Sequence, residues 1–170
     1  MWWSRLALVA ALVLAGCGFH PLYGTHSNGA SATAELAQVR ILPIADRTGQ
    51  LLYNKLRDRL NPRGKPGDPL YILQIALQER QERLLVEQDE TASRVNLILR
   101  ASYELKQAGT GTVLDSGVSQ TVLSYDVLGS EFQFATLSSE ADVRDRATEQ
   151  LSEDISTRLA IYFSSLAGGS

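Results

Sequence analysis

Two runs of sequence decide the fold: Tyr71-Ile72-Leu73-Gln74-Ile75-Ala76-Leu77 and Val95-Asn96-Leu97-Ile98-Leu99-Arg100-Ala101-Ser102-Tyr103-Glu104-Leu105. In the first, Tyr71, Leu73, Ile75 and Leu77 take every second place. In the second, Val95, Leu97, Leu99, Ala101, Tyr103 and Leu105 do the same. A period of two puts alternate side chains on one face of a strand. Gln88-Asp89-Glu90 supplies a polar turn between the runs, so they read as an antiparallel hairpin. Setting Leu73 opposite Leu105, Ile75 opposite Tyr103 and Leu77 opposite Ala101 brings both apolar sets to one face. A slip of one residue would turn one set into solvent, so the pattern predicts this register.

Outward from the hairpin, Gly109-Thr110-Gly111 turns the chain again and Val113 to Val127 reads as a further strand. Its pattern is mixed. Val118 and Val122 point one way, Leu123 and Tyr125 the other, as in a strand that touches partners on both sides. A long helix follows, from Glu131 or Leu137 to Ser164. Its apolar stripe is Leu137, Ala141, Ala147, Leu151, Ile155 and Leu159, widened by Val143, Tyr162 and Phe163. Arg144, Asp145, Glu149, Glu153 and Arg158 cover the other side. Residues 167–170 should fray.

Upstream, Val39 to Ile44 reads as a strand that ends near Pro43. Asp46-Arg47-Thr48-Gly49 then turns into a helix, with Thr48 placed to cap its free amides. Leu52, Leu56 and Leu60 recur at intervals of four and form one stripe. Asn61-Pro62-Arg63-Gly64 stops the helix. The order β-α-β-β-β-α predicts an α+β two-layer sandwich, with a four-stranded sheet and two helices packed on one face. The other sheet face is left uncovered.

The first residues are of a different kind. One positive charge, Arg5, precedes an apolar run from Leu6 to Leu14 that is too short to span a bilayer as a helix. Leu14-Ala15-Gly16-Cys17 ends the run with a small-residue site and the chain's one cysteine. This is the layout of a lipoprotein signal peptide. Cleavage before Cys17 and acylation of that residue with chains such as palmitate would tether the body to a membrane. Gly18 stands where aspartate would favour inner-membrane retention, so the outer membrane of a Gram-negative cell, on its periplasmic side, is the expected address. The domain reading is therefore a signal peptide over 1–16, a lipidated arm and linker over 17–36, and a single α+β domain over 37–166. Within the linker, Thr25 to Thr33 is small and polar and reads as flexible.

Composition and motifs exclude several classes. A net charge of -3 argues against non-specific nucleic-acid binding. His20 and His26 lie in the arm or linker, where no fold positions a catalytic base. No cluster has metal-ligand spacing, and Gly109-Thr110-Gly111 lacks the lysine of a phosphate-cradling loop. No enzyme, cofactor or metal is expected. What remains is the uncovered sheet face. Gln74, Gln78, Arg80, Glu82, Arg94, Asn96, Arg100, Ser102, Glu104 and Lys106 point to it, interrupted by Ile72, Ala76 and Ile98. An ordinary solvated face would look like this. So would a surface for an amphiphilic, phosphorylated ligand, with Arg80, Arg94 and Arg100 offering planar donor forks to phosphate.

Cys17-Gly18-Phe19-His20-Pro21-Leu22-Tyr23-Gly24 resembles the mature amino terminus of the LptE family of lipopolysaccharide-assembly lipoproteins. Val39-Arg40-Ile41, Leu51-Leu52-Tyr53-Asn54-Lys55-Leu56, Arg94-Val95-Asn96-Leu97 and Leu159-Ala160-Ile161-Tyr162-Phe163 look similar too. The resemblance implies an outer-membrane lipoprotein that plugs the LptD β-barrel, helps it fold and contacts lipopolysaccharide. It transfers one site, the lipid attachment at Cys17. The competing expectation is a lipid-anchored periplasmic protein that carries a lipid or solute, or pilots another outer-membrane assembly.

Overall fold

The computed structural model describes residues 27–84, 92–128 and 133–168. Seven elements follow in order: α1 (Ser27–Leu36), β1 (Val39–Ile41), α2 (Asp46–Leu60), β2 (Tyr71–Leu84), β3 (Ala92–Gln107), β4 (Val113–Leu128) and α3 (Gln133–Gly168). The strands form one sheet in the order β1-β2-β3-β4. β1 runs parallel to β2, and the other two pairs are antiparallel. The α+β sandwich and the β-α-β-β-β-α order expected from the sequence are both present from β1 onward.

The hairpin register is the expected one: Leu73 pairs with Leu105, Ile75 with Tyr103 and Leu77 with Ala101. It continues across the sheet, where Leu97 pairs with Leu123 and Val95 with Tyr125. Directly opposed residues share a face. One sheet face is thus apolar, and the helices cover it. From α2 come Leu52, Leu56 and Leu60; from α3 come Val143, Ala147, Leu151, Ile155, Leu159 and Phe163, one every four residues. Leu73, Leu97, Leu99 and Leu105 meet them from the sheet, each with no exposed surface. Burying each such leucine stabilises the fold by roughly 1.5–3 kcal/mol relative to exposing it. Tyr71 and Phe163 stack at 4.9 Å between centroids and close one end of this layer.

Two glycines mark close approaches. A Cβ on Gly49 would lie 2.7 Å from Ile44 Cγ2, and one on Gly117 would lie 2.7 Å from Tyr103 Oη. The first lets α2 start tight against the end of β1's exit segment. The second lets the Tyr103 ring lie over β4.

Four local expectations are corrected. Residues 27–36, read as linker, form α1, a third helix that packs against α3. Ala32 joins the core, and the Tyr71 hydroxyl donates to Glu35 Oε2 at 3.0 Å. Burial against a distant helix outweighs the linker-like composition. Thr48 does not cap α2, which begins at Asp46 with Ala45 as its uncapped N-cap. Asp46 instead adopts a positive φ of 66° at the turn into the helix. Leu137, at 63% exposure, and Ala141 lie off the buried stripe, because each stands six residues before a buried position, Val143 or Ala147, and six residues leave a side chain about 120° away around the helix. The helix also runs on to Gly168, past its expected end at Ser164. Residues 1–26, with Cys17, His20 and His26, and the tip Gln88-Asp89-Glu90 lie outside the described residues.

Candidate functional surface

The uncovered face of β2, β3 and β4 is built by the register. Its rows read Gln74–Glu104–Ser116, Ala76–Ser102–Val118, Gln78–Arg100–Gln120, Arg80–Ile98–Val122, Glu82–Asn96–Ser124 and Leu84–Arg94–Asp126. All ten polar and charged residues expected on this face are on it. β4, whose facing was mixed in sequence, adds exposed Val118 and Val122. The small side chains of Ala76 and Ser102 leave a shallow depression of about 370 Å³, bordered by Gln74, Glu104, Ser116 and Val118.

Arg80, Arg94 and Arg100 share the face but are not one cluster. Arg80 and Arg100 sit in adjacent rows on neighbouring strands. Arg94 is three rows from Arg100 along β3, roughly 20 Å at the rise of a strand. Their partners also differ. Arg94 Nε binds Asp126 Oδ1 at 3.0 Å, which pushes its pKa above the ordinary value. Arg80 pairs with Glu82 at 3.0 Å. Arg100 meets a neutral acceptor, Gln120 Oε1, at 3.4 Å. Lys106 pairs with Glu104 and also donates to Gln74. Arg100 is therefore the arginine of the three that an incoming anion can engage without first displacing a carboxylate.

The sequence reading missed a second polar constellation, on the helix-covered face. β2's core-facing parity continues past Leu77 to Glu79 and Gln81. Thr48 Oγ1 donates to Glu79 Oε2 at 2.6 Å, and Arg144 Nη2 donates to Glu79 Oε1 at 3.0 Å and to Glu140 at 2.8 Å. Burial alone would raise the Glu79 carboxyl, but hydrogen bonds from Arg144 and Thr48 outweigh it and hold the pKa below the usual range. The hydrogen bond to Glu79 raises Arg144 correspondingly. Nearby, Lys55 binds Asp145 at 3.0 Å and Glu149 at 2.9 Å, and Arg59 also reaches Glu149. Arg144, Asp145 and Glu149, expected on a solvated helix side, thus tie α3 to β2 and α2. The signal was available: Glu79 is the next residue in the apolar alternation of β2.

Neither constellation resembles a reaction centre. Among the described residues no group of His, Cys, Asp and Glu could hold a metal ion. No described helix is long and apolar enough to cross a membrane. The fold and its open face define the class: a two-layer α+β sandwich with one packed and one bare sheet surface, of the kind seen in bacterial lipoproteins of known structure. A protein of Caulobacter crescentus CB15 assigned as a lipoprotein superimposes with a TM-score of 0.68 at 21% identity, covering 80% of this chain and 98% of that one. The minor lipoprotein of Acinetobacter baumannii gives 0.58 at 14% identity, covering 74% and 92%. No curated protein matches the chain by sequence. The profile of the LptE family, described as lipopolysaccharide-assembly, matches residues 36–159. The chain belongs to the LptE family.

Proposed function

We propose that the protein is an outer-membrane lipoprotein of lipopolysaccharide transport, acylated at Cys17 and held on the periplasmic side. In this reading it plugs the LptD β-barrel, helps that barrel fold and contacts lipopolysaccharide, without catalysing a reaction. Family membership across 36–159 is the observation that carries the reading. The bare sheet face supports it. A polar barrel lumen can accept a surface that alternates charged, amide and small apolar side chains. Lipid A is both anionic and apolar, and the face offers Arg80 and Arg100 beside Ile98 and Val122. Each charge-assisted hydrogen bond to phosphate is worth about 1.5–3 kcal/mol, so even one contact would matter for affinity.

Purification of the mature lipoprotein from detergent-solubilised outer membrane tests the reading. A large barrel polypeptide should come with it, and mass spectrometry of its first residue should find acyl chains on Cys17. A free monomer after mild cross-linking would refute the partnership. An unmodified cysteine in the aqueous fraction would refute the anchor.

A further inference from the structure

The sheet has two open edges, and they are protected very differently. β1 covers only Tyr71–Leu73 of β2. Beyond it, β2's edge carries Glu79-Arg80-Gln81-Glu82-Arg83, four charges in five residues. Dense charge is one way in which natural sheets discourage edge-to-edge pairing. β4 forms the opposite edge over 16 residues and has no strand on its outer side among the described residues. Between Asp115 and Asp126 it reads Ser116-Gly117-Val118-Ser119-Gln120-Thr121-Val122-Leu123-Ser124-Tyr125. That stretch itself holds no charge, no lysine guard and no proline; α3 covers its core-facing side, where Thr121 Oγ1 donates to Gln150 and Ser119 bonds the Asp154 carboxylate. The register irregularity of the β3–β4 pair falls at Leu105/Lys106, outside it. It also presents apolar side chains on both faces: Val118 and Val122 on the bare one, Leu123 and Tyr125 on the other.

We infer that the outer edge of β4 accepts one added strand, supplied by the β-barrel polypeptide before the barrel closes. The inference rests on the barrel partnership proposed above and specifies its contact. Three observations choose this occupant. The uncharged window of β4 is about as long as a membrane-spanning barrel strand, roughly 9–11 residues. Such strands alternate apolar and polar side chains, and the window's own side chains carry no charge to repel them. A closed barrel has no free strand edge, so the contact belongs to the assembling polypeptide and is given up on closure. Main-chain hydrogen bonds would supply affinity, as in other strand additions, and Val118 and Val122 would fix which face of the added strand turns outward.

The test is pulse-chase photo-cross-linking in the native outer membrane. A benzophenone side chain is placed singly at Ser116, Gln120 and Ser124 of the full chain, with Gln78 and Glu82 on β2 as controls. The expected result is early adducts from the three β4 positions to residues about four apart along one barrel strand, in the form that has not yet closed, and none from β2. A Val118→Lys/Val122→Lys variant, at sites 42% and 49% exposed, should keep its thermal unfolding profile and lose about tenfold in early adduct, as charge on an edge opposes pairing. Co-purification of the barrel without β4 adducts, or with adducts only to the closed form, overturns strand addition and leaves the partnership standing. Adducts joining two copies of this chain overturn it in favour of self-pairing. Absence of any barrel, in adducts and in purification alike, overturns the partnership and this inference with it.

Discussion

Removing the Arg144 guanidinium separates a helix-to-sheet clamp from ordinary surface charge. Arg144→Ala leaves Glu79 and Glu140 facing each other, with Thr48 still donating to Glu79. The three charged side chains retain 20%, 27% and 25% of their exposure, so the triad sits between two regimes. Exposed pairs contribute about 0.2–1 kcal/mol, whereas breaking a buried pair costs about 3–5 kcal/mol. An intermediate loss of about 2–3 kcal/mol follows. For a chain of this size that lowers Tm by roughly 4–12 °C, taking about 2–4 °C per kcal/mol. Arg158→Ala is the internal control. It removes an i,i+4 pair with Asp154 whose side chains are 48% and 41% exposed, and should cost about 0.5 kcal/mol or less. Circular-dichroism melts of both variants at pH 7 and pH 4 complete the assay. Without its arginine, the partly buried Glu79 is relieved by taking up a proton. The Arg144→Ala penalty should therefore shrink at pH 4. Equal melting shifts for the two variants, or a penalty independent of pH, would refute the claim that this triad is stronger than surface ion pairs.

Three further outcomes are expected. The native protein should lose stability below about pH 4: Glu79, Glu149 and Asp154 are all depressed when folded, so their contribution is complete above the unfolded carboxylate range and disappears as pH falls through the folded values; urea midpoints across pH 3–7 would show it. Gly117→Ala should destabilise by about 1–3 kcal/mol through overpacking, since its Cβ would meet Tyr103 Oη at 2.7 Å and the ring at 2.9 Å; an unchanged urea midpoint would mean that Tyr103 swings aside freely. Arg100→Glu should weaken lipopolysaccharide binding more than Arg80→Glu or Arg94→Glu, because the latter two arginines already hold carboxylates; equal losses in a vesicle-binding assay would show that the face acts through net charge alone.

The sheet was legible because one physical rule governs it. A period of two in Tyr71–Leu77 and Val95–Leu105 excludes any slip by one residue, which would turn one apolar set outward, and the structure adopts the expected register. The stripe of Leu52, Leu56 and Leu60 was legible for the same kind of reason. α1 was not. Ser, Gly, Thr and Ala look alike in a linker and in a helix held by a neighbour, and its neighbour α3 begins about a hundred residues later. Thr48 misled because capping is a local rule, while its actual partner, Glu79, lies 31 residues away. Leu137 and Ala141 misled because they are four residues apart from each other yet six from the buried Val143 and Ala147, and six residues turn a helix about 120° off the stripe. On the bare face, parity alone located every expected residue. The pairing of Arg94 with Asp126 needed the β3–β4 register, which the mixed pattern of β4 did not supply.

The two polar constellations divide the work between the faces of the sheet. On the covered side, Glu79–Arg144–Glu140 and the Lys55, Arg59, Asp145 and Glu149 network join α3 to β2 and to α2. They act together with a leucine-rich core to hold the helices on the sheet's covered side. On the bare side the Arg80–Glu82 and Arg94–Asp126 pairs are exposed, and such pairs contribute little to stability. Substitutions there, at Arg80, Arg100, Val118 or Val122, should leave the fold intact while testing the binding proposed for the face. That separation gives the binding experiments their meaning: a lost partner in a variant that still melts normally reports on the surface, not on unfolding.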